Sequence, residues 1–183
     1  MGYQLSKTIV LVGLMGAGKT AIGTIVAQKL GCRFIDSDDE IETAAQMTIA
    51  EIFARDGEAF FRLKESQVLQ RLLDGPPCLL STGGGAFMSA DNRAAIADKG
   101  VAVWLDADLD LLWARVKSKA TRPLLQGPDP YGTLEKLFIA RKPKYALAEI
   151  KVKAGADLSK EQMADKVIAE LLNTPESGLK KVG

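Results

Sequence analysis

Histidine is absent from the 183 residues. That removes the commonest general base and the commonest zinc ligand, so acid–base work falls to carboxylates or lysine. Cysteine is nearly as scarce: Cys32 and Cys78 are the two present, at the edges of predicted core strands, as suits buried thiols in a reducing compartment. Charge of neither sign dominates. Lys and Arg number 24 against 23 Asp and Glu, a net charge of +1, so no polyanion-attracting field exists and no nucleic acid partner is expected. Long apolar runs are missing too, which excludes a membrane-spanning helix and leaves no membrane partner expected. Lys7 before the apolar run at 8–12 loosely mimics a secretory signal, but Gly13 breaks the run, and the expected location is the cytoplasm.

What remains is ordinary globular material, 47% hydrophobic and 26% charged, long enough for one real core. The chain reads as a single domain over residues 1–173, followed by a flexible tail at 174–183. No long apolar surface helix advertises a dimer interface, which is compatible with a monomer.

The chain is organised around Gly13-Leu14-Met15-Gly16-Ala17-Gly18-Lys19-Thr20. A predicted strand at 8–12 precedes it and a predicted helix at 21–30 follows. This is G-x-x-x-x-G-K-[ST] in its expected setting. Gly13, Gly16 and Gly18 let the backbone wrap an anion, and the loop N–H groups and helix N-terminus face phosphate oxygens. Lys19 can bridge the β- and γ-phosphates of ATP, and the Thr20 hydroxyl can ligate Mg²⁺. Read this way, the protein binds a nucleoside triphosphate. The rival reading is a Gly-rich connection with an incidental lysine.

Gly31 signals the end of the first helix, and a second strand begins at Arg33-Phe34-Ile35. It runs into Asp36-Ser37-Asp38-Asp39, where ligands of open α/β sheets bind. In extended chain Asp36 and Asp38 point to the same side; one could serve Mg²⁺ while the other meets an acceptor hydroxyl. Asp39 reads as the cap of the next helix. Thr48 and Glu51 form a capping-box pattern, Asp56-Gly57 breaks that short helix, and a longer one is predicted at 58–73. Arg62 and Glu65 lie one turn apart and can pair; taken alone they read as a surface ion pair.

A third strand at 78–81 ends in Thr82-Gly83-Gly84-Gly85. Consecutive glycines there point to a loop that presents N–H groups to a substrate or phosphate. Ser89 or Asp91 caps the next helix, and 101–105 is a wholly apolar strand, as inside a parallel sheet. Asp108 caps a helix at 109–117 that carries Arg115. The Gly- and Pro-rich stretch at 119–132 reads as a lid, with Arg122 held extended by Pro123. A helix from Thr133 should kink or end at Pro143; a last strand follows at 149–152, and Ser159 caps a helix at 160–172.

Together these pieces resemble the shikimate kinase family. The matching residues are the loop at 13–20, Asp36-Ser37-Asp38, Phe61-Arg62 with Glu65, Gly83-Gly84-Gly85, Arg122-Pro123-Leu124-Leu125, and Arg141-x-Pro143-x-Tyr145. The resemblance implies a three-layer α/β/α fold with a central, mostly parallel five-stranded sheet and a mobile lid. It implies transfer of the ATP γ-phosphoryl to the 3-hydroxyl of shikimate, the small-molecule partner. By it, Arg62 and Arg141 hold the substrate carboxylate, Asp38 meets the acceptor hydroxyl, and Gly83, Gly84 and Gly85 line the substrate. Asp36 with Thr20 holds Mg²⁺, Arg122 is the lid arginine, and Arg115 lies near adenine. Ala17 and Ala21 belong to the nucleotide loop, although Ala21 stands where many such proteins place a second hydroxyl. The alternatives are another small-molecule kinase, for gluconate or a nucleotide, and a non-catalytic sensor of ATP or shikimate.

Overall fold

The computed structural model describes residues 2–118 and 126–183. Its elements in chain order begin with β1 (Gly2–Leu5), β2 (Thr8–Val12), α1 (Lys19–Leu30), β3 (Phe34–Asp36), α2 (Ser37–Ala45) and α3 (Ile49–Leu73). After these come β4 (Leu79–Ser81), a 3₁₀ turn (Ala86–Met88), α4 (Ala90–Lys99), β5 (Gly100–Asp106) and α5 (Leu109–Val116). The chain then forms α6 (Pro130–Tyr145), β6 (Ile150–Lys153), α7 (Lys160–Asn173) and β7 (Leu179–Val182).

Strands β2 and β5 are buried along their whole length, which is why they read as unbroken apolar runs. They sit at the heart of a five-stranded sheet of order β3-β4-β2-β5-β6, parallel throughout. Edge strand β6 alternates buried Ile150 and Val152 with exposed Lys151 and Lys153. Helices cover both faces, giving the three-layer α/β/α fold. Helix α1 lies close on the sheet because a Cβ at Gly23 would come within 2.7 Å of the Phe34 ring. The chain crosses from β2 to β3 on one side and later returns to β5 on the other. The carboxyl ends of β2, β3 and β4 therefore share one edge, where open α/β sheets bind ligands.

Among the described residues two apolar clusters result. The main core spans the sheet, α1 and α7. The second is small: Ile41, Ile52, Phe61 and Val68 join α2 to α3. As the sequence suggests, α3 is two helices in one, broken at Gly57 with φ 84° and ψ 173°.

Several expectations are corrected. Asp36, not Asp39, caps α2: the chain is still extended there and its carboxylate accepts from the Asp38 N–H at 2.9 Å. Asp38 and Asp39 occupy the first helical turn. Asp108 stands at the cap position of α5 without a capping bond, because Lys153 Nζ takes its carboxylate at 2.7 Å. Helix α6 begins at Pro130 rather than Thr133, with Asp129 accepting from the Gly132 N–H at 3.0 Å; proline suits a first turn, whose N–H groups have no intrahelical partner. It also continues through Pro143 to Tyr145.

The tail read as flexible carries β7, paired antiparallel with β1. Buried Ser177 anchors it, its Oγ donating to the Leu171 carbonyl at 2.6 Å. The strand at 149–152 is thus not the last. Of the lid read at 119–132, residues 119–125, Arg122 included, lie outside the described residues. No helix among the described residues is long and apolar enough to cross a membrane.

Candidate active site

Residues 13–20 turn directly out of β2 into α1. Gly16 and Gly18 hold φ of 87° and 96°, which L side chains rarely adopt. Among these residues the Ala17 N–H turns back to the Leu14 carbonyl at 3.1 Å. The turn leads into the N-terminus of α1 at Lys19, where a helix's first-turn amides and dipole favour an anion. Lys19 Nζ rests on the Gly13 and Leu14 carbonyls at 2.5 and 3.3 Å. Arg115 comes from α5 to the same loop, donating to the Gly16 and Ala17 carbonyls at 2.9 and 3.3 Å. Its positive charge thus lies beside the glycine-rich turn at 13–20.

The carboxylates stand at the end of β3. Burial raises the pKa of Asp36, opposed by its bond from the Asp38 amide and by Lys19. Asp38 is pushed up to about 6, first by burial, then by the neighbouring charges of Asp36 and Glu65. Glu65 is also raised by burial, with Arg62 pulling the other way.

The glycine loop after β4 is where distant segments meet. A Cβ on Gly83 would lie 2.8 Å from Asp38 Oδ1 and 3.3 Å from Glu65 Oε2. One on Gly84 would lie 2.8 Å from Arg141 Nη1, and one on Gly85 would collide with the Arg62 guanidinium. Side chains at these positions would displace the charged groups around them. Arg62 donates to Glu65 Oε1 at 2.9 Å and also faces Glu58 at 3.6 Å. Glu65 is 2% exposed, so this pair is no surface ion pair. Asp38 Oδ1 and Glu65 Oε2 are buried without a hydrogen-bond partner among the described residues, and each is an acceptor that a ligand hydroxyl could satisfy.

The structure therefore brings Asp38, Arg62, Gly83, Gly84, Gly85 and Arg141 together, with Lys19 near enough to both aspartates to influence them. Asp39 stays exposed and outside the group. Two participants stand out only in three dimensions. Glu65 reads from sequence as a pairing partner, whereas its burial and unpaired oxygen make it part of the site wall. Tyr145, present in the sequence only as the end of a motif, donates from its hydroxyl to the Gly84 carbonyl at 2.5 Å.

For Mg²⁺, no cluster of three or more His, Cys, Asp or Glu exists among the described residues. An ion that arrives with substrate phosphates needs one or two protein oxygens, the rest of its shell being phosphate and water. Asp36 and Thr20 meet that pattern.

Comparison with known proteins agrees with this geometry. Residues 15–172 match the family described as Shikimate kinase. The chain is 60% identical over 173 residues to a shikimate kinase of Cereibacter sphaeroides, covering 94% of this chain and 86% of that one. It is 59% identical over 167 residues to one of Ruegeria pomeroyi, covering 91% and 86%. The solved shikimate kinase of Acinetobacter baumannii in complex with shikimate superposes with a TM-score of 0.87 at 36% identity, covering 93% of this chain and 95% of that one. A match that begins inside the phosphate loop and ends in the last helix, at this identity over nearly the whole length, makes the chain a member of the shikimate kinase family.

Proposed function

We propose that the chain transfers the γ-phosphoryl of ATP to the 3-hydroxyl of shikimate, giving shikimate 3-phosphate and ADP. The observation that carries this reading is the pairing of two arginines with two unsatisfied buried carboxylate oxygens around one glycine loop. Such a site suits a small molecule with a carboxylate at one end and hydroxyls at the other. Arginine forks match carboxylates in a planar way, which gives Arg62 and Arg141 the substrate carboxylate. Hydroxyl donors would satisfy Asp38 Oδ1 and Glu65 Oε2.

Asp38 is the group that meets the acceptor hydroxyl and takes its proton. Its elevated pKa makes it a stronger base than an ordinary carboxylate while it stays largely ionised at neutral pH. Lys19 leaves its carbonyl partners to meet the β- and γ-phosphates, and the loop amides of residues 13–20 fix their position. Arg115 lies toward the nucleotide. Arg122, outside the described residues, takes the remaining charge on the transferring group; that role rests on the family likeness. Phosphoryl transfer needs alignment and charge neutralisation more than covalent chemistry. Asp36 and Thr20 would hold Mg²⁺, whose contribution when bound is to neutralise phosphate charge.

On this reading the enzyme works as one domain and a monomer, in the cytoplasm. A coupled assay of ADP release with shikimate, gluconate and nucleoside monophosphates tests it. Shikimate-dependent release well above the other acceptors is expected. Equal or greater release with gluconate or a nucleotide would reassign the substrate, and no release with any of them would favour a sensor.

A further inference from the structure

Helix α6 delivers two side chains to the glycine loop. Arg141 and Tyr145 are four residues apart and so share a face. Tyr145 is 3% exposed, its ring stacked on Trp104 of β5 with centroids 6.1 Å apart and planes at 29°. The stack clamps the ring between sheet and helix and leaves the hydroxyl one direction to point. That hydroxyl donates to the Gly84 carbonyl at 2.5 Å and lies near enough to Arg141 to feel its positive charge. A Cβ on Gly84 would sit 2.8 Å from Arg141 Nη1 and 3.6 Å from the Tyr145 hydroxyl, so all three groups converge within a few ångströms.

The rest of the loop is tied down elsewhere. Upstream, Thr82 Oγ1 donates to the Leu11 carbonyl at 3.0 Å. Downstream, Asn92 Nδ2 and Arg93 Nη1 hold the Ala86 and Phe87 carbonyls at 2.9 and 2.7 Å. Between these anchors, at Gly84, the side-chain tie is Tyr145. Three successive glycines have no side chains of their own to restrain them, and they lose more freedom on ordering than any other residue.

We infer that Tyr145 is a positioning residue for the acceptor: its hydroxyl fixes the Gly84 peptide and the Arg141 guanidinium relative to each other, so that substrate meets a preset grip. The inference rests on the function proposed above for this same site. Burial pushes the phenol up to about 12, so the proton needed for donation stays in place throughout the working pH range.

Tyr145→Phe tests this, because it keeps the ring and its stack and removes the hydroxyl alone. The expected result is a rise of about threefold to tenfold in the KM for shikimate, the range for one hydrogen bond. The KM for ATP should not move. Amide exchange at Ala86, whose N–H bonds to the Gly83 carbonyl at 3.1 Å, should become faster. Ser177→Ala serves as the control for stability: it removes a buried bond at the far tail, lowers Tm, and should leave the shikimate KM alone. A shikimate KM unmoved in Tyr145→Phe, or moved no more than in Ser177→Ala, overturns the inference. If the wild-type protein does not phosphorylate shikimate, the functional reading fails by itself. Ala86 exchange then decides for Tyr145: faster exchange in Tyr145→Phe supports the loop clamp, and unchanged exchange refutes it.

Discussion

The phosphate cradle and the acceptor grip differ in how the chain makes them. The cradle is local: residues 13–20 are consecutive, and they hang between a strand and a helix buried in the main core. The grip is assembled from four places, namely the start of α2, the middle of α3, the loop after β4 and the end of α6. One wall of it belongs to α2 and α3, which are joined by the small cluster of Ile41, Ile52, Phe61 and Val68. Apolar burial stabilises roughly in proportion to area, so the cradle sits on the firmer foundation. A kinase that must hold nucleotide and still admit a second substrate gains from that division, since binding loops come from the less stable parts of a fold.

The largest effect should come from the cradle. Lys19→Ala removes the charge proposed to bridge the phosphates and should lower kcat by roughly 10²–10³-fold, while far-UV circular dichroism and Tm stay near wild type. Near-normal turnover would remove the P-loop assignment.

Next comes Asp38→Asn, which on the proposed role can still hydrogen-bond the acceptor hydroxyl but cannot accept its proton. A loss in kcat of about 10² is expected, with shikimate still bound; Asp39→Asn should be mild. The same variant carries a pH signature. Folded Asp38 titrates near 6, against about 3.9 for an unfolded aspartate. Between those values the folded state holds the extra proton, so its stability falls as pH rises from about 4 to 6 and levels off above. Asp38→Asn should therefore raise Tm above pH 6 and change it little below pH 4, measured with chelator and without nucleotide. A constant Tm difference across that range would mean that the charge at Asp38 is not what burial opposes.

Substitutions in the grip should be smaller and one-sided. Arg62→Lys keeps the charge and loses the fork, so shikimate binding should weaken by roughly 1–3 kcal/mol, the range for charged hydrogen bonds. The smallest effect on turnover should come from the joint in α3. Gly57 has open space around its Cβ position, so Gly57→Ala meets only backbone strain, about 1–3 kcal/mol at such a φ,ψ. Denaturant unfolding measures that loss, and the KM for ATP should stay unchanged. An ATP effect as large as the shikimate effect would erase the distinction between the two regions.

The same contrast explains what could be read from sequence. The cradle, the parallel sheet and the break at Gly57 follow from short-range patterns: a motif, unbroken apolar strands, a Gly after Asp. The cap of α2 is not legible in sequence because Asp36, Asp38 and Asp39 offer the same chemistry, and only the point where the chain leaves extended geometry selects among them. Strand β7 is hidden in the sequence because Leu179-Lys180-Lys181-Val182 carries little apolar pattern and depends on a partner, β1, far away along the chain. The places of Glu65 and Tyr145 are hidden for a related reason: burial and the meeting of α3 and α6 at one loop are tertiary facts, which spacing along a single helix does not encode.

Crossed binding titrations test the division most directly. Shikimate and ADP are each titrated calorimetrically into Lys19→Ala and Arg62→Lys, one ligand at a time. The account predicts that Lys19→Ala weakens ADP and leaves shikimate within about twofold, while Arg62→Lys weakens shikimate by about tenfold or more and leaves ADP unchanged. If either substitution weakens both ligands to a similar degree, cradle and grip are one coupled site, and the account is wrong.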